Sequence, residues 1–144
     1  MISAPPESGL IREQSGAQAL IGYVVDVGQG DGRGRAWLDI EERHSNRNGM
    51  LHGGIIAMLL DAACGFTASM RLGAGEPLTP LVTVSLTTQF VAGARLGSRV
   101  MATGYPSGGG AKIAHVRGEL VDDTGAVIAT ALGVFKKVPM ERFT

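Results

Sequence analysis

The sequence predicts an α+β domain: a curved antiparallel sheet of six strands wrapped around one long central helix. Three observations predict it. Residues 55–70 read IIAMLLDAACGFTASM, long enough for about four helical turns and apolar nearly all round. Such a helix has to be covered on several sides. Two strand-like segments precede this run and four follow it. A single helix cannot cover both faces of a six-stranded sheet, so the sheet must curl around it. The remaining face or edge is left to a second copy of the chain.

Each element has its own signal. Residues 1–18, with their Pro, Ser and Gly, read as an N-terminal arm. Residues 19–27, ALIGYVVDV, form the expected first strand, rich in β-branched side chains. GQGDGRG at 28–34 is a glycine-rich hairpin turn, because the strand-like RAWLDI follows it and not the helix a phosphate-binding loop needs. Residues 41–48 are a polar loop. Gly53 and Gly54 open the helical run, and Arg71 and Gly73 close it. A loop over 74–80 is held by two prolines. Then Val82, Val84 and Leu86 alternate with Thr83, Ser85 and Thr87, the period of a strand. Gly93 and Gly97 bound a connection. A shorter strand is expected at 98–105, a turn at PSGGGA, and strands at 112–121 and 126–138 around the turn DDTG. Residues 139–144 are a tail.

Composition narrows the functions. A chain of 144 residues suits one domain with a real core. With 44% apolar and 18% charged residues it is a globular protein. A net charge of zero argues against nucleic acid or an anionic membrane surface as the main partner. At 5% aromatic residues, base-stacking platforms are not expected either. The apolar run carries a charge and falls short of a membrane span. The start, MISAPPESGL, lacks a basic segment followed by an apolar core, so no secretory leader is expected. Cys64 is the single cysteine and reads as a small core residue. A reducing cytoplasm is the expected setting. Three scattered histidines and that cysteine make no metal-ligand set, and no cofactor is implied.

Asp61 is the only charged residue within the apolar run. Its helical neighbours, Ala57, Met58, Cys64 and Gly65, cannot pair with it. Burying an unpaired carboxylate is costly, so a partner must come from another element or from a ligand. The start of the helix offers free N–H groups and a partial positive charge. Gly53 and Gly54 let a carbonyl come close, as an oxyanion hole requires. Asp61 lies eight residues beyond Gly53, roughly 12 Å along the axis. One carbonyl cannot touch both within one chain. If both act on it, they come from different subunits.

The pattern N-x-x-G-x-x-H-G-G followed by a helical carboxylate is present as Asn46, Gly49, His52, Gly53, Gly54 and Asp61. It resembles the hotdog-fold thioesterases of the phenylacetate-degradation (PaaI-like) type. LVTVSLTTQFVAGARLGSRV and GELVDDTGAVIATALGVFKK are similar to later parts of that family, so the resemblance spans about residues 19–138. It implies a single hotdog domain there, a homodimer assembled further into a homotetramer, and hydrolysis of acyl-CoA thioesters. By the same resemblance Asp61 is the catalytic carboxylate, as general base or nucleophile. Gly53 supplies the oxyanion donor, and Asn46 orients water or thioester. Thr83 supplies a hydroxyl beside the carboxylate. His52 matches the motif, either in catalysis or as the imidazole that ties the loop to the helix start. Gly54, Met58 and Phe90 are expected at the substrate, with Leu59 a further candidate for the pocket.

One departure concerns CoA. The family places a basic residue directly after a turn glycine; here Ala111 follows Gly110, and the basic residue is Lys112. That offset turns the side chain to the other face, leaving Arg95 or another loop to meet the nucleotide. His44 and His115 read as structural or surface residues. Two other functions fit the fold. A non-catalytic acyl-CoA binder would not need Asp61. A hydratase would use Asp39 and His44, whose spacing matches the hydratase signature although Glu41 and Glu42 break it.

Overall fold

The computed structural model describes residues 2, 4–6, 8–73 and 78–139. The expected loop at 74–80 is therefore described only from 78 onward, and all but Pro139 of the expected tail lies outside the described residues. In chain order the elements are β1 (Leu10–Ile11), α1 (Gly16–Ile21), β2 (Val24–Asp26), β3 (Arg35–Asp39), a 3-10 turn (Glu42–His44), α2 (Gly53–Leu72), β4 (Leu81–Phe90), β5 (Arg99–Gly109), β6 (Ile113–Val121) and β7 (Val127–Lys137). One antiparallel sheet takes the order β1-β2-β3-β5-β6-β7-β4 and curves around α2, as a hotdog domain does.

The sheet has seven strands where six were expected. The seventh, β1, belongs to the N-terminal arm and pairs with β2. The first predicted strand is corrected more deeply: residues 19–21 are helical, and only 24–26 remain extended. The reason lies in the caps. Ser15 Oγ accepts from the Gln18 N–H, and Gly22, at φ 87°, closes the helix by donating its N–H to Gln18 O. Gln18 is buried, and its Nε2 donates to Ile11 O at 2.8 Å and Tyr23 O at 3.1 Å. The arm is thus fastened to the domain, and the expected boundary at residue 18 falls inside α1.

The strand expected at 98–105 is eleven residues long, not short. It runs past Pro106 because the register shifts between Pro106 and Gly108, where a proline can be accommodated. The predicted turn over residues 106–111 shrinks accordingly.

α2 is 20 residues long and by length and hydropathy could cross a bilayer, which the shorter sequence reading did not anticipate. Here it is the core helix. Leu59, Leu60, Ala63 and Cys64 are fully buried, and the helix packs chiefly on β5 and β6. Two glycines permit that approach. A methyl group on Gly104 would stand 2.8 Å from Ala63 O, and one on Gly118 would stand 2.7 Å from Cys64 Sγ. Thr67 Oγ1 joins the same seam, accepting from the Gly34 N–H at 2.8 Å and donating to Ala63 O at 2.7 Å.

Gly104→Ala tests this packing. The new methyl meets helix backbone and the Thr67 side chain, so a loss of about 1–3 kcal/mol is expected. Urea denaturation followed by circular dichroism measures it, and an unchanged midpoint would contradict the close approach.

Candidate active site

Asp61 projects from the middle of α2 and is only partly buried. Its missing partner comes from β4: the Thr83 hydroxyl donates to Asp61 Oδ1 at 2.8 Å. β4 follows α2 and pairs with β7 at the end of the sheet, with Thr83 opposite the inward-facing Phe135. That register points Thr83 at the helix. Both residues line a cavity of about 480 Å³, together with Tyr23, Met58, Phe66 and Leu81. Among the described residues, Asp61 is the one charged side chain lining it.

The helix start is a separate place. His52 caps α2, its Nδ1 accepting the Gly54 N–H at 2.8 Å. Gly54 therefore has no free amide to offer a substrate. The N–H groups of Ile55 and Ile56 are satisfied by His52 O. The Gly53 N–H has no acceptor among the described residues. Phe90 stands over it: a methyl group on Gly53 would be 3.4 Å from Phe90 Cε1. Asn46 folds the preceding loop, its Oδ1 accepting from the N–H groups of Asn48 and Met50 at 2.8 and 3.1 Å. The amide NH2 of Asn46 has no hydrogen-bond partner among the described residues. Arg95 is exposed and forms a backbone bridge with Met50 beside this loop.

The structure thus groups the sequence candidates in two sets. Met58, Asp61 and Thr83 share the cavity. Asn46, His52, Gly53, Gly54, Phe90 and Arg95 stand at the helix start, outside it. Leu59 is fully buried in the core and lines no part of the cavity. Tyr23, Ala17, Gly65 and Ser69 line the cavity and were not singled out from the sequence. Tyr23 sits in a segment that reads as strand, and Gly65 has no partner or motif to mark it.

Asp39 and His44 do not form a hydratase pair. Asp39 Oδ1 receives Arg99 Nε at 2.7 Å, and that guanidinium holds its carboxyl below the usual range. His44 is buried, with Nδ1 accepting from the Glu41 N–H and Nε2 2.9 Å from Ile21 O. A second, polar cavity of about 290 Å³ lies beside these residues, but its Arg43 and Arg99 are already paired with Glu41 and Asp39. His115 is exposed on β6, and Lys112 is exposed in the turn before it. Among the described residues no group of His, Cys, Asp and Glu is placed to hold a metal ion.

Asp61 also acts on its surroundings. Burial first, and then the Asp61 charge, raises the Tyr23 phenol above its ordinary pKa. The same two causes push the Cys64 thiol up to about 12.

Residues 48–129 match the sequence profile of the thioesterase superfamily. Human acyl-coenzyme A thioesterase 13 is 28% identical over 113 residues, 78% of each chain. A Pseudomonas aeruginosa protein named as a candidate esterase is 38% identical over 60 residues. The match spans 42% of this chain and 42% of that relative's length. The PaaI protein of the E. coli phenylacetic acid degradation operon has a similar fold. Its TM-score is 0.74 at 17% identity, with 88% of this chain and 87% of that one covered.

The raised thiol pKa has a direct consequence. Cys64 is fully buried and burial holds it as the neutral thiol near neutral pH, so the native protein should not react with a disulfide reagent such as DTNB at pH 8. One thiol per chain should appear on adding denaturant. Rapid labelling of the native protein would contradict the buried placement.

Proposed function

This chain belongs to the thioesterase superfamily, and from that premise we propose that it hydrolyses acyl-CoA thioesters to the free acid and CoA at a site completed by two subunits. The observation that carries the reading is the Asp61 carboxylate, held by Thr83 in the wall of a cavity with no other charged side chain among the described residues. Such a group can take a proton from water beside a bound acyl chain. The other requirement, a hydrogen-bond donor for the carbonyl oxygen, is met by the free Gly53 N–H. A separation of eight positions along the helix puts the two roughly 12 Å apart. The reading therefore takes the donor from the partner subunit.

In this mechanism the thioester oxygen accepts from the Gly53 amide of one subunit, and the Asn46 amide orients the water or the thioester. Asp61 of the other subunit removes a proton from water, and the oxygen adds to the carbonyl carbon. The tetrahedral intermediate then collapses, the C–S bond breaks and the thiolate takes up the proton. If Asp61 attacks directly, an analogous oxyanion forms and collapses by breaking the C–S bond, CoA leaves as the thiolate, and water then cleaves the acyl-enzyme anhydride to the free acid and the Asp61 carboxylate. His52 shapes the helix start by capping it, and Arg95 stands where it can meet the nucleotide of CoA.

Dimerisation is supported by the edge of the sheet. β4 is ten residues long and terminal in the strand order, yet Val82, Val84 and Phe90 are 43%, 58% and 58% exposed. A long apolar edge is a template for pairing, and a second copy of the chain covers it. Leu132, 63% exposed at a β7 position paired with Thr87, supports a further contact between dimers to give the homotetramer. A cytoplasmic setting fits a lone cysteine kept as a buried thiol.

A panel of acyl-CoA thioesters with free-thiol detection tests the activity. Asp61→Asn should lower kcat by about 10²–10⁴-fold. Loss of the charged hydrogen bond in Thr83→Val should lower it about tenfold. Retained turnover in Asp61→Asn, or binding without turnover in the wild type, would favour a binding protein instead. Single turnover in isotope-labelled water separates the two mechanisms, because label in the Asp61 carboxylate marks direct attack.

The shared site has its own test. Gly53→Pro removes the N–H at a helix position that tolerates proline, and should cost about 10²–10³-fold in kcat. Inactive Gly53→Pro and Asp61→Asn chains, unfolded together and refolded, should regain activity, because each mixed dimer contains one intact site. No recovery despite verified mixed dimers would place both groups on one chain.

A further inference from the structure

Gly65 stands inside α2, one turn beyond Asp61, on the wall of the cavity. Glycine is a poor choice in a helix interior, where alanine is favoured. Gly104 and Gly118 have a packing reason to be glycine, since a methyl group on either would collide with α2. Gly65 has none. A methyl group there would meet one neighbour within 4 Å, Phe135 Cε1, at an ordinary 3.6 Å. Its φ is not positive, so the backbone does not demand glycine either. What lies in front of Gly65 is the cavity.

That cavity is a trough along one stripe of the helix. Met58, Asp61, Ala62, Gly65 and Ser69 follow one another at helical spacing. β4 contributes Leu81 and Thr83 to the lining, and the N-terminal segment contributes Ala17 and Tyr23. Tyr23 is held there by α1, through the bond from Gln18 Nε2 to its carbonyl. Beyond Asp61 the lining is apolar at Ala62, Phe66 and Leu81. The Ser69 hydroxyl is already engaged with Thr79 O at 2.6 Å. Gly65 lies four residues from Asp61, roughly 6 Å along the axis, and Ser69 eight residues away, roughly 12 Å. A chain that leaves a carbonyl beside Asp61 toward the C-terminal end of α2 crosses Gly65.

We infer that Gly65 is a specificity-determining residue, whose missing side chain keeps open an apolar trough for the chain of a medium-length aliphatic acyl thioester. Short acyl groups end before Gly65, and longer ones lie across it. The inference rests on the acyl-CoA hydrolysis reading and deepens it.

The test compares kcat/KM across acetyl-, hexanoyl-, octanoyl- and decanoyl-CoA for wild type, Gly65→Ala and Tyr23→Ala. Wild type should prefer the medium chains to acetyl. In Gly65→Ala the decanoyl-to-acetyl ratio should fall about tenfold, the scale of one misplaced methyl in a hydrophobic pocket. Its melting temperature should equal or exceed that of wild type. Tyr23→Ala, which removes the largest aromatic side chain of the N-terminal part of the lining, should raise the ratio. An equal change at every chain length marks a merely structural role for Gly65 and overturns the inference, as does a lowered melting temperature in Gly65→Ala. If wild type cleaves none of the thioesters, the hydrolysis reading fails and the inference falls with it. If wild type cleaves them and the Gly65→Ala profile is unchanged, the trough alone fails.

Discussion

Asp61 has to keep its charge hydrogen-bonded and in reach of a polar environment while the rest of α2 is packed into the sheet. The helix meets both demands by dividing its circumference. One face, with Ala63, Cys64 and Thr67, is pressed onto β5 and β6, and Gly104 and Gly118 leave the room. The stripe carrying Asp61 faces the cavity, whose lining Leu81 and Thr83 on β4 and Ala17 and Tyr23 in the N-terminal segment help to complete. A sheet that closed over this stripe would strand the carboxylate, and one that opened further would expose the core. The cavity follows from that compromise.

The same compromise makes the electrostatics local. Tyr23 and Cys64 both have their pKa raised by burial first and then by the Asp61 charge. In the proposed hydrolysis Asp61 gives up that charge, to a water proton or to the carbonyl carbon, and the carbonyl oxygen that gains it needs a donor close by. In the single chain that donor, the Gly53 N–H, is at the other end of the helix segment. Its position and the exposed apolar edge of β4 are separate observations that lead to the same arrangement, in which two chains meet.

Much of this was legible in the sequence where a signal was local and strong. The helical run, the lone carboxylate, the period of β4 and the polar turn DDTG all carry periodicity or turn chemistry, and the structure holds each in its expected place. Thr83 as the partner of Asp61 came from the family resemblance, and the hydrogen bond supports it. The errors arose where tertiary context decided. ALI at 19–21 has the side chains of a strand, but Ser15 and Gly22 cap a helix around it. Pro106 reads as a strand end, but a bulge absorbs it. Tyr23 and Gly65 carry no motif, because their importance lies in what they face across a space that exists only after folding.

Glycine shows why that space cannot be read from composition. Gly104 and Gly118 are glycine because a methyl group would strike the helix, and Gly22 because its backbone is left-handed. Gly53 leaves its amide approachable under the Phe90 ring. Gly65 has neither constraint. In a helix interior, where any larger residue with a good propensity would add stability, an uncrowded glycine is best explained by a need for emptiness. The emptiness begins one turn from Asp61, and a substrate carbonyl poised at Asp61 would extend its chain into it.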